Sequence, residues 1–347
     1  VQTCALPIYE IAAATSALGA SFGGDLGVCA TSGPGVALKT ETIGLGVMTE
    51  LPLVVINMQR GGPSTGLPTK PEQGDLLQAV YGRNGEAPLP VLAATSPGDC
   101  FHTAYEACRI ATKYRTPVIL LADGYLGNGS EAWRIPDTDA LPAFDVDFET
   151  KATERTMHKD QDGNDQFLPY VRDPETLARA WARPGTPDLE HRIGGLEKEH
   201  KTGNVSYDAA NHQKMVKLRA QKVQNVTQDI PPTRVHGHPD GDLLVLGWGS
   251  TKGAIEEATE RACTQGHRVG SVVLRHVWPL PADLVDVIDR FDQVLVPELN
   301  NGQLIRVLRD QYPTRDFAPL NKIQGRPFRA EEIVEKIEAL LGQPTPA

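Results

Sequence analysis

The chain has 347 residues, 40% of them hydrophobic and 22% charged, which leaves room for two hydrophobic cores and a connecting segment. Its net charge of −10 argues against nucleic acid or an anionic membrane as the main partner, because phosphate groups bind to basic surfaces. No apolar run approaches the ~20 residues that span a bilayer. The five cysteines include no CxxC pair, which argues against a metal or iron–sulfur site built by this chain alone and is typical of a reducing cytoplasm.

The first eight residues differ in character from the rest of the chain. They read VQTCALPI, with no helix-capping signal and no periodicity, and they look like the translation of a sequencing-library adaptor. We therefore expect residues 1–8 to be a non-native scar and the native chain to begin upstream of Glu10. The alternative is a genuine short N-terminal strand.

Residues 9–137 alternate between small-residue helices and short apolar strands. The helices are predicted over residues 10–22, 36–49, 75–81 and 97–114, and the strands over 27–31, 52–58, 91–94 and 117–122. Strands that alternate with helices indicate an α/β domain with a mostly parallel sheet. We expect this domain to be doubly wound.

The rhythm fails over residues 138–234, which are rich in Asp, Pro, Gly, His and Lys and contain one clear helix at residues 209–222. A stretch this long without periodicity is a linker or a functional arm, and its mixed composition favours an arm that wraps over a partner. From residue 235 to 347 the alternation of strands and helices resumes. We expect a second, smaller doubly wound domain there.

The loop Arg60–Lys70 (RGGPSTGLPTK) follows the predicted strand 52–58 directly. Ligands of open α/β sheets bind at the carboxyl ends of the strands, so this loop lies where a site is expected. Its glycines allow the backbone to approach a ligand closely, and Arg60 offers a fork of donors that suits a carboxylate. A Gly/Pro-rich surface loop with a solvated arginine is the alternative.

A second candidate is the turn Ser32-Gly33-Pro34-Gly35, which follows a strand and precedes a helix. This geometry can direct backbone N–H groups at a ligand, but a bare tight turn fits equally well. The similar turn at residues 247–250 is interpreted as structural. The nine histidines form no triad or metal pattern.

Several long strings resemble one family. They are EIAAATSALGASFGG from Glu10, ATSGPGVALKTETIGLGVMTELPLVVINMQRGGPSTGLPTKPEQGDL from Ala30, PVILLADGYLG, the mid-chain HRIGGLE and NVSYDAANHQKM, and the C-terminal GWGSTKGAIEEA, VLVPELNNGQL and NKIQGRPF. Together they resemble the alpha subunit of 2-oxoacid:ferredoxin oxidoreductases of the 2-oxoglutarate type. The resemblance runs from Glu10 essentially to the C-terminus, and RGGPSTGLPTK is its most specific motif.

The resemblance implies a fold and a reaction. The first domain would be a thiamine-diphosphate pyrimidine-type domain, and the second would be similar to the C-terminal domain of transketolase. The enzymes use thiamine diphosphate to decarboxylate a 2-oxo acid, form an acyl-CoA from coenzyme A and reduce ferredoxin. The cofactor is shared with a beta subunit, which is expected to carry Mg²⁺ and a [4Fe–4S] cluster, and a dimer of alpha–beta pairs is the assembly that the family suggests.

The resemblance also implies residue roles. Glu10 matches the glutamate that bonds the aminopyrimidine ring of the cofactor and thereby activates it, and it is the predicted catalytic residue. Arg60 matches an arginine that binds the carboxylate of the 2-oxo acid. Thr69 and Lys70 are expected to bind substrate in the same loop, with Lys70 suited to the second carboxylate of 2-oxoglutarate. The cofactor is further expected to contact Ser32, Gly33 and Gly35.

One departure from the family pattern and three alternatives remain. A Tyr-Pro-Ile-Thr-Pro motif that the family carries upstream of the glutamate helix is absent, which we interpret as truncation, and a gamma-type domain precedes that motif in some members. The same reaction on pyruvate or branched-chain 2-oxo acids is one alternative, and a truncated, non-catalytic docking subunit is another. An NAD-dependent dehydrogenase is disfavoured, since no GxGxxG motif followed by an acidic residue is present.

Overall fold

A computed structural model describes residues 9–144, 146–159 and 162–342. The predicted scar at residues 1–8 lies outside the described residues. No helix of the described part is long and apolar enough to cross a membrane.

Two mostly parallel five-stranded sheets organise the chain, as the sequence predicts. The strands are β1 (Gly27–Thr31), β2 (Leu53–Gln59), β3 (Val91–Ala93), β4 (Pro117–Asp123), β5 (Met157–Lys159), β6 (Asp165–Phe167), β7 (His236–Gly237), β8 (Gly241–Trp248), β9 (Val269–Leu274), β10 (His276–Trp278), β11 (Phe291–Glu298) and β12 (Ala318–Asn321). The helices are α1 (Glu10–Gly23), α2 (Gly33–Thr49), α3 (Leu76–Tyr81), α4 (Asp99–Tyr114), α5 (Gly124–Asn128), α6 (Ala209–Asn225), α7 (Lys252–Thr264), α8 (Leu284–Ile288), α9 (Gln303–Gln311) and α10 (Ala330–Leu341).

The first sheet has the order β1-β2-β4-β3-β10. Its central strands are parallel and almost wholly apolar, which is typical of a sheet covered on both faces. The fifth strand, β10, comes from the C-terminal region and pairs antiparallel with β3. The C-terminal region therefore contributes a strand to the first sheet, which two separate successive domains would not do. The division of the chain at residues 137 and 235 stays a prediction.

The second sheet has the order β12-β11-β8-β9-β7, with β7 antiparallel at one edge. One continuous hydrophobic core joins the two sheets, because Leu53 and Val55 of β2 and Leu244 and Leu246 of β8 belong to the same buried cluster. Helices α4 and α5 cover the other face of the first sheet, and α7 and α10 cover the other face of the second.

Gln73 joins the two sheets through hydrogen bonds. Its side chain donates to the carbonyl of Trp248, at the end of β8, over 2.7 Å, and accepts from the backbone N–H of Leu299, after β11, over 2.9 Å. Its own N–H donates to the Leu299 carbonyl over 2.9 Å. The turn at residues 247–250 therefore has a structural contact, in line with its interpretation from the sequence.

The middle segment packs against its own chain. Phe167, Ala180, Ala182 and Leu189 form a small core of their own. Another part of the segment lies on the C-terminal end of α2, where the Lys198 ammonium donates to the Met48 carbonyl over 2.7 Å. The segment therefore makes contacts within its own chain, and an arm that wraps over a partner stays a prediction.

A buried ion cluster fixes this segment to α2. Glu50, which ends α2 in a left-handed conformation, accepts hydrogen bonds from Arg172 and Lys222, and all three side chains are at most 6% exposed. Burial alone would raise the pKa of Glu50, but the two cations outweigh it and hold that pKa at about 2.

Candidate active site

Glu10 is the first residue of α1 and lies at the carboxyl edge of the first sheet. A Cβ atom placed on Gly35 would be 2.9 Å from Glu10 Cγ and would overlap the Thr31 hydroxyl, so only glycine fits at this contact. The carboxylate of Glu10 makes no hydrogen bond within the described residues. The Glu10 side chain thus packs against the first turn of α2, and its carboxylate has no hydrogen-bond partner among the described residues. It is available to bind a ligand.

The turn Ser32-Gly33-Pro34-Gly35 differs from its prediction. Ser32 is the N-cap of α2, and Gly33, Pro34 and Gly35 form the first helical turn rather than a separate loop. Proline is favoured at this position because its missing N–H is not needed in the first turn. The prediction that α2 begins at residue 36 was therefore three residues late, since the two glycines masked the helical signal.

Asp75 and Asn57 close the opposite side of this turn, and sequence reasoning missed both. A Cβ atom on Gly33 would be 2.5 Å from Asp75 Oδ2, which accepts a hydrogen bond from Asn57 Nδ2 over 3.0 Å. The Oδ1 atom of Asn57 is buried without a partner. Burial raises the pKa of Asp75, opposed by the Asn57 hydrogen bond.

The register of the sheet explains this convergence. Thr31 of β1 pairs with Asn57 of β2, so the two loops that follow these strands leave the sheet side by side. Asn57 and Gln59 point to the same face of β2, since side chains alternate along a strand. The sequence did contain a signal for this site, namely two amide side chains at alternate positions of an otherwise apolar strand.

Arg60 begins the next loop, and its guanidinium has no hydrogen bond or ion pair among the described residues. The Nε atom is buried, so this donor is not satisfied by bulk water. An unpaired buried donor on a cation is costly, because desolvation is not offset by a hydrogen bond. Arg60 is thus suited to an anionic ligand, as its position after β2 predicts.

The loop folds back on itself and brings Lys70 to its base. The N–H of Gly61 donates to the Lys70 carbonyl over 3.0 Å, and the N–H of Leu67 donates to the Gly61 carbonyl over 2.8 Å. Thr69 has a φ of 61°, a left-handed conformation that a β-branched residue adopts at a cost of ~1–3 kcal/mol. The side chains of Thr69 and Lys70 are exposed, and neither forms a hydrogen bond or an ion pair with Arg60.

Lys39 is a further residue that sequence reasoning missed. It lies one helical turn after Gly35 in α2, it is 1% exposed, and its ammonium forms no hydrogen bond or ion pair within the described residues. Burial lowers the pKa of Lys39, while Cys29 and Glu10 act in the opposite direction.

Metal ligands are not clustered in this part of the molecule. Within the described residues, no group of three or more His, Cys, Asp or Glu side chains could hold a metal ion. Cys29, Cys100, Cys108 and Cys263 are free thiols.

Comparisons with known proteins agree on one family. Residues 8–211 match the family described as "Pyruvate flavodoxin/ferredoxin oxidoreductase, thiamine diP-bdg", and residues 241–333 match "Pyruvate:ferredoxin oxidoreductase core domain II".

Two curated relatives are similar along nearly the whole chain. The "2-oxoglutarate oxidoreductase subunit KorA" of Mycobacterium tuberculosis is 53% identical over 96% of this chain and 49% of its own length. The "2-oxoglutarate synthase subunit KorA" of Methanothermobacter marburgensis is 30% identical over 94% of this chain and 84% of its own length. The chain thus spans about half the length of the first relative and most of the second.

A solved structure is similar as well. The 2-oxoglutarate:ferredoxin oxidoreductase of Magnetococcus marinus, with 2-oxoglutarate, coenzyme A and succinyl-CoA bound, superposes with a TM-score of 0.85 at 34% identity. The match covers 96% of this chain and 56% of that one.

Proposed function

The chain belongs to the 2-oxoacid:ferredoxin oxidoreductase family, and from that premise we propose that it is the pyrimidine-side alpha subunit of a 2-oxoglutarate:ferredoxin oxidoreductase. The observation that carries the proposal is the 53% identity to a 2-oxoglutarate oxidoreductase subunit along 96% of the chain. A 2-oxo acid and coenzyme A give an acyl-CoA, CO2 and a proton, while two electrons pass singly to two ferredoxin molecules.

The residues at the carboxyl edge of the first sheet fit the pyrimidine half of thiamine diphosphate. Glu10 offers an unpaired carboxylate, Gly33 and Gly35 remove the Cβ atoms that would fill the space, and Asn57 has a buried oxygen without a donor. Bound thiamine diphosphate supplies the nucleophilic carbon that adds to the 2-oxo group. In this proposal Glu10 bonds the pyrimidine ring nitrogen, and Ser32, Gly33 and Gly35 contact the ring.

Substrate recognition is assigned to the loop after β2. Arg60 binds the carboxylate beside the 2-oxo group, because a planar guanidinium with free donors matches a carboxylate in two hydrogen bonds. Lys70 binds the second carboxylate of 2-oxoglutarate, and the Thr69 hydroxyl is a further contact. The strained backbone at Thr69 supports a functional position, since such strain persists where the surroundings require it.

The remaining parts of the enzyme are proposed to lie on a beta subunit. It would hold the diphosphate end of the cofactor, Mg²⁺ and a [4Fe–4S] cluster, and it would form a dimer of alpha–beta pairs with this chain. Ferredoxin is the proposed acceptor, and the cytoplasm the proposed location.

The experiment that tests the reaction uses the complete gene expressed with its beta-subunit gene. We expect anaerobic, CoA-dependent viologen reduction with a higher kcat/KM for 2-oxoglutarate than for pyruvate. A higher kcat/KM for pyruvate would show that pyruvate, and not 2-oxoglutarate, is the preferred substrate. No turnover of any 2-oxo acid by a cofactor-loaded complex would leave only the non-catalytic docking role.

A further inference from the structure

The loop that follows β12 packs against the loop Arg60–Lys70 of the first sheet. At the contact, Gly325 has a φ of 64°, and a Cβ atom placed on it would lie 2.9 Å from Lys70 Cβ and 3.3 Å from Lys70 Cγ. The Cβ atom of Lys70 is fixed by the backbone, so it cannot rotate away as the ammonium could. Glycine is therefore required at position 325 both for the left-handed backbone and for the space beside Lys70.

The loop that carries Gly325 is held in place by the second sheet. The Lys322 ammonium, only 9% exposed, donates to the Pro327 carbonyl over 2.9 Å and to the Glu332 carboxylate over 2.7 Å. Phe328 is buried in the core beneath α7 and α10. Both ends of the segment around Gly325 are thus fastened, and its contact with Lys70 has a firm base.

Lys70 is also held from the side of the first sheet. A Cβ atom on Gly124, the first residue of α5, would lie 3.4 Å from the Thr69 carbonyl oxygen and 3.6 Å from the Lys70 carbonyl carbon, which are ordinary contacts. The Lys70 ammonium, in contrast, forms no hydrogen bond or ion pair within the described residues. The fold therefore fixes where the Lys70 side chain starts and leaves its charged end available to a ligand.

We propose that Gly325 is a positioning residue for substrate specificity, which directs the Lys70 ammonium toward the second carboxylate of a 2-oxo diacid. The proposal rests on the proposed function, in which Lys70 binds that carboxylate. Gly325 does not contact the substrate. It acts through the first two carbon atoms of the Lys70 side chain, because a binding group is effective only when its supporting contacts hold it in place. The second sheet thereby takes part in substrate selection.

The experiment compares Gly325→Ala with wild type in the alpha–beta complex, with Gly85→Ala as the matched control. Gly85 has a φ of 65°, but a Cβ atom on it would meet nothing within 4 Å. Both variants impose the same backbone strain and should lower the unfolding midpoint to a similar extent. Only Gly325→Ala displaces Lys70, so we expect it to raise KM for 2-oxoglutarate several-fold and leave KM for pyruvate unchanged. Gly85→Ala should change neither KM.

Two further variants separate strain from contact. Gly325→Asn also adds a Cβ atom, but asparagine tolerates the left-handed conformation better than alanine, so it should fold and show the same difference between the two substrates. In a Lys70→Met background, Gly325→Ala should cause no further rise in KM for 2-oxoglutarate, because the two residues act through one contact.

The contrary outcomes are distinct. A parallel rise in KM for both substrates, or an undiminished effect of Gly325→Ala in the Lys70→Met background, would overturn the proposal and make Gly325 a structural residue. A wild-type complex that is loaded with cofactor but turns over no 2-oxo acid would instead reject the proposed function itself.

Discussion

At the scale of single residues, charged side chains without a protein partner are the main indication of a ligand site. Glu10, Lys39 and Arg60 lie near the carboxyl edge of one sheet, and none has a hydrogen-bond partner within the described residues. Charges that are partly or wholly buried are normally paired, because desolvation is costly. Three unpaired charges in one region indicate a place where ligand groups complete the electrostatics.

Arg60→Gln tests the carboxylate-binding role at this scale. We expect kcat/KM for 2-oxoglutarate to fall about 10- to 100-fold, because a hydrogen bond to a charged group is worth ~1.5–3 kcal/mol. Arg309→Gln, on the exposed face of α9, is the matched control and should change nothing. Steady-state kinetics of the alpha–beta complex measures both, and equal kcat/KM for the two variants would rule out the assigned role.

Lys70→Met tests substrate specificity. Loss of the ammonium should raise KM for 2-oxoglutarate several-fold and leave KM for pyruvate unchanged, because only 2-oxoglutarate has a second carboxylate. Kinetics with both substrates, and with Lys217→Met as the control, gives the comparison. A parallel change for the two substrates would show that Lys70 does not read the second carboxylate.

At the scale of elements, the start of α2 is the most constrained position. A Cβ atom on Gly35 would overlap Thr31 and lie close to Glu10, whereas a Cβ atom on Gly44, further along the same helix, would meet only Asn84 Oδ1 at 4.0 Å, an ordinary contact. Glycine is therefore required by packing at position 35 but not at position 44, although the sequence alone does not distinguish the two positions.

Gly35→Ala and Gly44→Ala form a matched pair in α2. We expect Gly35→Ala to weaken thiamine diphosphate binding at least tenfold, because its Cβ displaces Glu10 or Thr31. Gly44→Ala should leave binding intact and stabilise the chain by up to ~1 kcal/mol, since alanine favours the helix. Cofactor titration and urea unfolding measure the two effects, and tight binding by Gly35→Ala would contradict the packing described.

The contact of α2 with the middle segment depends on Glu50. Glu50→Gln leaves Arg172 and Lys222 buried without an anion and should cost ~3–5 kcal/mol of unfolding free energy at pH 7. The pKa of Glu50 in the folded chain is about 2, below its unfolded value, so this stability is present above the unfolded pKa and is lost as pH falls toward 2. Urea unfolding at pH 7 and pH 3.5 should give a smaller difference between variant and wild type at the lower pH.

At the scale of the whole molecule, Gln73 couples the two sheets and thereby fixes the loop that carries Arg60 against the second sheet. Gln73→Leu would leave the Trp248 carbonyl and the Leu299 N–H without these partners, at ~1–3 kcal/mol for each buried group. We expect a lower unfolding midpoint and faster amide exchange at residues 60–73. Gln224→Leu on α6 is the control. Equal amide exchange at residues 60–73 in the two variants would show that the Gln73 hydrogen bonds do not hold the loop in place.

The sequence predicted the two parallel sheets because strands such as β2 and β4 are mostly apolar and contain Val and Ile, as is typical of buried parallel strands. It missed β10, since three residues from a distant region complete the first sheet by antiparallel pairing, which has no local signal. The loop with Arg60 was predictable from its place after β2. Asp75 and Lys39 were not, because the position of Asp75 against Gly33 and the burial of Lys39 follow from tertiary packing.

The most direct test of the central claim is a comparison of wild type and Glu10→Gln in the alpha–beta complex, each titrated with thiamine diphosphate and assayed for CoA-dependent viologen reduction with 2-oxoglutarate. Glutamine keeps the size of the side chain and removes its charge. We predict that turnover falls at least 100-fold, because in the proposed function the carboxylate would assist proton movement at the pyrimidine ring. Wild-type turnover in Glu10→Gln, with the cofactor fully bound, would contradict the account.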